Sequence, residues 1–202
     1  NSLIASEVDL HIPEFNNTFS FLGITVSGND ILGFGMIVSL LGMVFGYLEF
    51  RKIKNLPAHK SMLDVSALIY ETCKTYLFQQ GKLLVVLELF IGSCIFYYFY
   101  ELSRMPLPKV LLILFWSVLG ILGSYSVAWF GIRINTYANS RPAFASLMGK
   151  PYSVMDIPLK SGMSIGVLLI CVELLMMLFI LLFVPKDSAG ACFIGFAIGE
   201  SL

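Results

Sequence analysis

The stretch RINTYANSRPAFASL, residues 133–147, decides how the chain is built. It follows LPKVLLILFWSVLGILGSYSVAWFGI, residues 107–132, with no turn signal between the two. The first run is apolar and long enough to cross a hydrocarbon layer of ~30 Å as a helix, which takes about 20 residues. The second carries Arg133, Asn135, Thr136, Asn139, Ser140 and Arg141, yet meets no glycine or turn cluster before Gly149, Lys150 and Pro151. One helix is therefore expected to cross the membrane and continue past it. Its small residues Ala138, Ser140, Ala143, Ala145 and Ser146 suit close helix packing. Pro142 conflicts with this reading, because proline removes a helical hydrogen bond; a kink is expected there.

Composition supports a membrane chain. Of 202 residues, 57% are apolar and 13% charged, and the mean hydropathy is +0.84. Soluble domains carry about 25% charged residues. Net charge is zero, so it indicates no class of partner, and no basic patch with interleaved aromatics suggests nucleic acid. Cys73, Cys94, Cys171 and Cys192 are scattered singly with no CxxC and no neighbouring His, which reads as packing residues, not a disulfide framework or zinc site. No metal site is expected within the chain.

Working outward, three more apolar runs match a span: Ile31 to Phe50, Leu83 to Tyr100 and Gly162 to Val184. A further apolar stretch starts near Ala189. The class is all-α, a polytopic membrane protein with four transmembrane helices plus the start of a fifth. Arg51 to Lys82 holds six Lys/Arg, and the link after Ile132 holds four. The two alternate links hold three in all. The positive-inside rule puts the ten in the cytoplasm and the N-terminus outside. Residues 1–29, with Glu7, Asp9 and Glu14 and no Lys or Arg, are then an extracytoplasmic tail, and residues 30–202 form the membrane domain. The tail contains His11 and a sequon-like Asn16-Asn17-Thr18, a pattern frequent by chance.

The first cytoplasmic link has helical periodicity, with Met62, Val65, Ile69, Cys73, Tyr76 and Leu77 three or four apart and no breaker before Gly81. Two arrangements fit: helix two extended into the cytoplasm beside helix three, or an amphipathic helix lying on the membrane surface. The spacings Gly42-x-x-x-Gly46 and Gly162-x-x-x-Gly166 predict close helix contacts. His59, by a turn, reads as solvated.

Two segments together resemble a known family. IYETCKTYLFQQGK (69–82) and RINTYANSRPAFASLMGKPYSVMDIPLKSGMSIGVLLICVELL (133–175), continuing to GFAIGESL, are similar to the N-terminal part of the membrane-integral, ion-pumping inorganic pyrophosphatases. The likeness runs from about Asn55 to Leu202. Its most specific elements are the R-x-N-x-x-A-N-x-R core and the K-x-G-M-S-x-G segment. The family pattern has Thr after the second Arg, where this chain has Pro142.

The resemblance implies a pump that hydrolyses magnesium-bound pyrophosphate on the cytoplasmic side and drives H+ or Na+ outward, built as a homodimer in the lipid bilayer of the bacterial inner membrane. Such a site needs clustered carboxylates to hold Mg2+. Glu49, Asp64, Glu71 and Asp156 are single and far apart, so the family's acidic motifs are expected beyond residue 202, and this segment alone is expected to be inactive. Dependence on K+ rests on a later helix and stays open. ACFIGFAIGESL is too short to cross, which reads as the opening of a longer protein's fifth helix.

Arg133 and Arg141, eight apart on nearly one helical face, and Asn139 between them, are candidates for holding neighbouring cytoplasmic helices. They also read as membrane-edge anchors or as groups near an anionic substrate. Glu88, Glu173 and Glu200 lie in apolar runs, where a carboxylate is costly and a functional suspect. Glu200 in GESL resembles a gate carboxylate that some family members place on this helix; the other reading is a protonated carboxyl bonded to a neighbouring helix. Glu88 and Glu173 read as neutral hydrogen-bonding partners. A four-helix membrane scaffold without catalysis is the alternative function.

Overall fold

The computed structural model describes residues 18–21 and 24–202. Most of the expected tail, including His11 and Asn16, lies outside the described residues. Two short strands, β1 (Thr18–Phe21) and β2 (Ile24–Ser27), pair antiparallel with Thr18 opposite Ser27 and Phe21 opposite Ile24. This four-pair ribbon is a small addition to an otherwise α-helical chain.

Among the described residues five α-helices follow: α1 (Gly28–Lys54), α2 (Lys60–Tyr97), α3 (Leu107–Leu147), α4 (Pro151–Phe183) and α5 (Lys186–Ser201). Four are long and apolar enough to cross a membrane, as the four runs predict. The 38 residues of α2 extend about 57 Å and the 41 of α3 about 61 Å at 1.5 Å per residue, roughly twice the ~30 Å hydrocarbon layer.

Boundaries follow from local chemistry. At the start of α1, the Ser27 hydroxyl accepts from the Asp30 N–H (3.3 Å). The Asp30 carboxylate accepts in return from the Ser27 N–H (3.1 Å) and hydroxyl (2.8 Å), forming a reciprocal capping box. His59 sits exposed at the start of α2, where its Nδ1 accepts from the Ser61 N–H (3.3 Å). After α2 the winding loosens into a π-helical turn, Tyr98–Leu102, and Arg104 takes a left-handed φ of 52° before α3 begins.

α3 runs unbroken through Pro142 and stops where Gly149 was expected to stop it. There Gly149 has φ +67°, the Lys150 N–H bonds to the Ala145 carbonyl (3.0 Å), and the Gly149 N–H bonds to the Ser146 carbonyl (3.1 Å). This is the double-bonded Schellman ending that glycine favours, because it has no Cβ to clash at positive φ. The fourth run differs from expectation. α4 opens at Pro151, eleven residues before Gly162, and continues through Pro158. Proline is well suited to a helix's first position, where no N–H is needed. The Asp156–Lys160 pair (2.8 Å) then adds one i,i+4 link.

The residues group into two compact units. One comprises the described residues up to 39 together with 84–124 and 173–202; the other comprises residues 40–83 and 125–172. The core of the first is Ile95, Phe99, Val110, Ile113, Trp116, Ile180, Val184, Ala189, Ala191, Cys192 and Phe196. The core of the second is smaller: Ile53, Ile134, Ala138 and Ile157, flanked by Phe50, Phe130, Tyr137 and Ile165. All four cysteines are free thiols, with Cys171 and Cys192 buried.

Candidate functional site

In the second unit, the polar end of α3 is held among its neighbours by directed bonds. The Ser66 hydroxyl of α2 donates to the Thr136 carbonyl (2.7 Å), and the Arg133 guanidinium lies over the Tyr70 ring (4.0 Å). The extended ends of α2 and α3 therefore pack side by side. Asn135, the N of the R-x-N element, accepts from the Ser161 hydroxyl of α4 (3.0 Å). The Ser164 hydroxyl, wholly buried, donates to the Gly46 carbonyl of α1 (2.8 Å). Gly42 and Gly46 are the close approach the spacing predicts. A Cβ on Gly42 would meet the Cys171 sulfur, and one on Gly46 would come within 3.2 Å of the Ser164 carbonyl. Gly162 and Gly166 are different: among the described residues no neighbouring atom lies within 4 Å of such a Cβ on either.

Arg141 is 5% exposed. Its Nη2 donates to the carbonyl of Lys54, the last residue of α1 (2.9 Å), and its Nη1 to the Ser140 hydroxyl (3.0 Å). It thereby caps the negative end of α1, where orphan carbonyls and the helix dipole favour a cation. Arg133 and Arg141 lie on the Tyr137 ring at 4.8 and 4.5 Å from its centroid. The sequence reading brought these two arginines to nearly one face, and the structure adds the aromatic ring that both contact. Asn139 is exposed and lines an open cavity of about 390 Å³ with Ser61, Val65, Ser66 and Ala143.

In the first unit, α3 and α5 approach to backbone contact. A Cβ on Gly199 would overlap the Ser117 carbonyl, one on Gly195 would meet the Ile113 carbonyl (2.6 Å), and one on Gly120 would overlap the Phe196 carbonyl. This interlock fixes the height of α5, and with it Glu200, which is partly buried. Ser117 also donates to Glu88 (3.3 Å), as the hydrogen-bonding reading of Glu88 expects. Glu173 lies within electrostatic range of Glu200. The sequence reading missed the role of Ser117 and of Gly195-x-x-x-Gly199; the four-residue glycine spacing was the available signal.

Mg2+ takes oxygen ligands, mainly carboxylates and waters. Among the described residues no three His, Cys, Asp or Glu side chains converge. Glu49, Glu71 and Asp156 each pair locally with a lysine: Lys52, Lys74 and Lys160. These residues do not fit a magnesium site.

Comparison with known proteins agrees with this geometry. The family model described as inorganic H+ pyrophosphatase matches residues 40–202. A K(+)-insensitive pyrophosphate-energized proton pump of Chlorobaculum tepidum is 57% identical over 169 residues, which is 84% of this chain and 22% of the relative. The chain thus spans about a fifth of the length of that curated relative. No solved structure matches. Four helices of bilayer length among the described residues, the R-x-N-x-x-A-N-x-R segment engaged helix to helix, and the family model covering most of the sequence place this chain in the inorganic H+ pyrophosphatase family.

Proposed function

We propose that the chain is the N-terminal segment of a pyrophosphate-energised proton pump in a bacterial cell membrane, with its N-terminus outside. The observation that carries this reading is the 57% identity to a pump of that kind across most of the chain. Hydrolysis of magnesium-bound pyrophosphate would be the work of carboxylates elsewhere in the full-length protein, since among the described residues no group of three His, Cys, Asp or Glu converges. The chain supplies framework helices. Arg133 and Arg141 hold the cytoplasmic ends of α1, α2 and α3, Asn139 lines the open cavity beside them, and Glu200 is the gate carboxylate that takes up and releases the transported H+. The pump is a homodimer and, like the relative's name, K+-insensitive.

The test uses the full-length gene product in inverted membrane vesicles. Pyrophosphate with Mg2+ is expected to acidify the vesicle interior equally with and without K+. Glu200→Gln is expected to abolish acidification while the protein still assembles. Unchanged transport by Glu200→Gln would remove the gate assignment. Absence of any pyrophosphate-driven acidification in the wild type would remove the pump reading.

A further inference from the structure

We propose that the groove between the middle of α2 and the middle of α3, within the second unit, seats an anionic phospholipid, with the headgroup on Lys74 and Lys82 and an acyl chain against Phe78 and Trp129. The groove is open, holds about 490 Å³, and is lined by Glu71, Lys74, Leu77 and Phe78 of α2 and by Tyr125 and Trp129 of α3. That volume falls within the ~300–1,000 Å³ of small-molecule sites. The inference uses the membrane-crossing helices and is independent of which ion is pumped.

The floor of the groove is fixed by packing. The Tyr125 hydroxyl donates to the Leu77 carbonyl (3.1 Å). Gly81, one turn on, leaves room for the Tyr125 side chain: a Cβ there would come within 3.1 Å of the hydroxyl oxygen and 3.2 Å of the ring. Tyr125 and Trp129 share one face of α3 at i,i+4 spacing, and Lys74, Phe78 and Lys82 share one face of α2 at the same spacing. Phe78 is 61% exposed and Trp129 53%. The Lys82 ammonium lies 4.7 Å from the centroid of the Phe78 ring, which keeps it beside the groove. A further turn along both helices, the Arg133 guanidinium lies over Tyr70 (4.0 Å) and adds positive charge on the polar side.

Depth, charge and side-chain size together select a lipid. Lys82 immediately precedes the apolar run Leu83 to Tyr100, and Trp, Tyr and Lys side chains gather at the headgroup level of a bilayer. Two lysines face one carboxylate, Glu71, whose 3.4 Å pair with Lys74 is solvent-exposed and contributes little. The surplus charge fits an anion. Faces that meet other helices in a membrane carry small residues, as Gly42 and Gly46 do on α1. The face of α2 that leads from the groove toward the span carries Val85, Val86 and Leu89, which are 61%, 63% and 69% exposed. Bulky branched side chains of this kind suit acyl chains and leave no notch for a further helix. A basic pocket between membrane helices at headgroup depth is the arrangement that holds anionic headgroups.

The experiment uses the full-length protein in phosphatidylcholine nanodiscs doped with phosphatidylglycerol that carries a photoreactive diazirine near the head end of one acyl chain. Cross-links are mapped by peptide mass spectrometry. Labelling of residues 71–82 and 125–129 is expected to saturate with probe, and unlabelled phosphatidylglycerol is expected to compete about tenfold better than phosphatidylcholine. Lys82→Gln is expected to raise the probe fraction for half-labelling about fivefold, the effect of one basic residue at a membrane surface; Lys74→Gln is expected to act in the same direction. Lys150→Gln, beyond the end of α3, is expected to leave it unchanged. Equal labelling of the groove by a phosphatidylcholine probe would make its occupant ordinary boundary lipid and overturn the proposal. An unlabelled groove beside a labelled Val85–Leu89 segment would mean that another part of the full-length protein fills it, which also overturns the proposal. So would labelling undiminished in both Lys82→Gln and Lys74→Gln.

Discussion

The two units solve helix packing in opposite ways. In the first, α3 and α5 touch through backbone: Gly120, Gly195 and Gly199 each face a carbonyl at a distance no Cβ tolerates. In the second, helices are tied by side chains that reach across to backbone. Ser66 bonds the Thr136 carbonyl, Ser164 that of Gly46, Arg141 that of Lys54, and Tyr125 that of Leu77 (3.1 Å). The difference teaches how each can fail. Where lipid removes the hydrophobic drive between helices, close van der Waals contact and polar links carry association. Backbone contact is intolerant of a single methyl group. A polar link is lost one bond at a time.

The sharpest way to break the comparison is a methyl group in the interlock. Gly199→Ala places a Cβ against the Ser117 carbonyl, where neither partner is the end of a flexible side chain. The expected cost is about 3 kcal/mol, the upper part of the usual overpacking range, read as a fall in the thermal midpoint of the detergent-solubilised protein. The same methyl at Gly162, which has open space around it, is expected to do the reverse, stabilising by roughly 0.5 kcal/mol through helix propensity. If both substitutions moved the midpoint alike, backbone contact would not be what distinguishes the first unit.

Those two glycines also show what the sequence makes legible. Gly42-x-x-x-Gly46 and Gly162-x-x-x-Gly166 are equivalent as patterns, yet among the described residues only the first pair meets a neighbouring helix. A spacing places residues on one face; it does not say what lies opposite. The spans themselves were readable because burial in lipid demands continuous apolar runs, and the end of α3 was readable because Gly149 needs positive φ. The start of α4 was not, because Pro151, Asp156 and Pro158 look like loop chemistry until tertiary contact holds them in a helix. Arg133 and Arg141 stood out as charges on one face. That Arg141 is buried as the cap of α1 depends on Lys54, 87 residues away, and no local pattern contains that.

Arg141→Met tests the polar side of the comparison at its strongest point. The variant keeps the length of the stem and removes every donor, leaving the Lys54 carbonyl to find water. The expected loss is about 2 kcal/mol, typical of a bond to a charged group, with the end of α1 fraying first. Hydrogen exchange at Ile53 and Lys54 reads this directly. Faster exchange there with little change at Gly195 and Gly199 would confirm that the cap acts locally within the second unit.

The smallest effect is expected from Ser164→Ala. Its hydroxyl is fully buried and bonds the Gly46 carbonyl, but that carbonyl also has its place in the α1 ladder. Polar links between membrane helices are worth about 0.6 kcal/mol on average, so the thermal midpoint should fall by only a degree or two. Combining it with Ser66→Ala, whose bond joins a different helix pair, should give the sum of the single losses, because the two serines share no partner. A loss well above that sum would mean the second unit's polar links act as one network, and the contrast between an all-or-none interlock and independent ties would narrow accordingly.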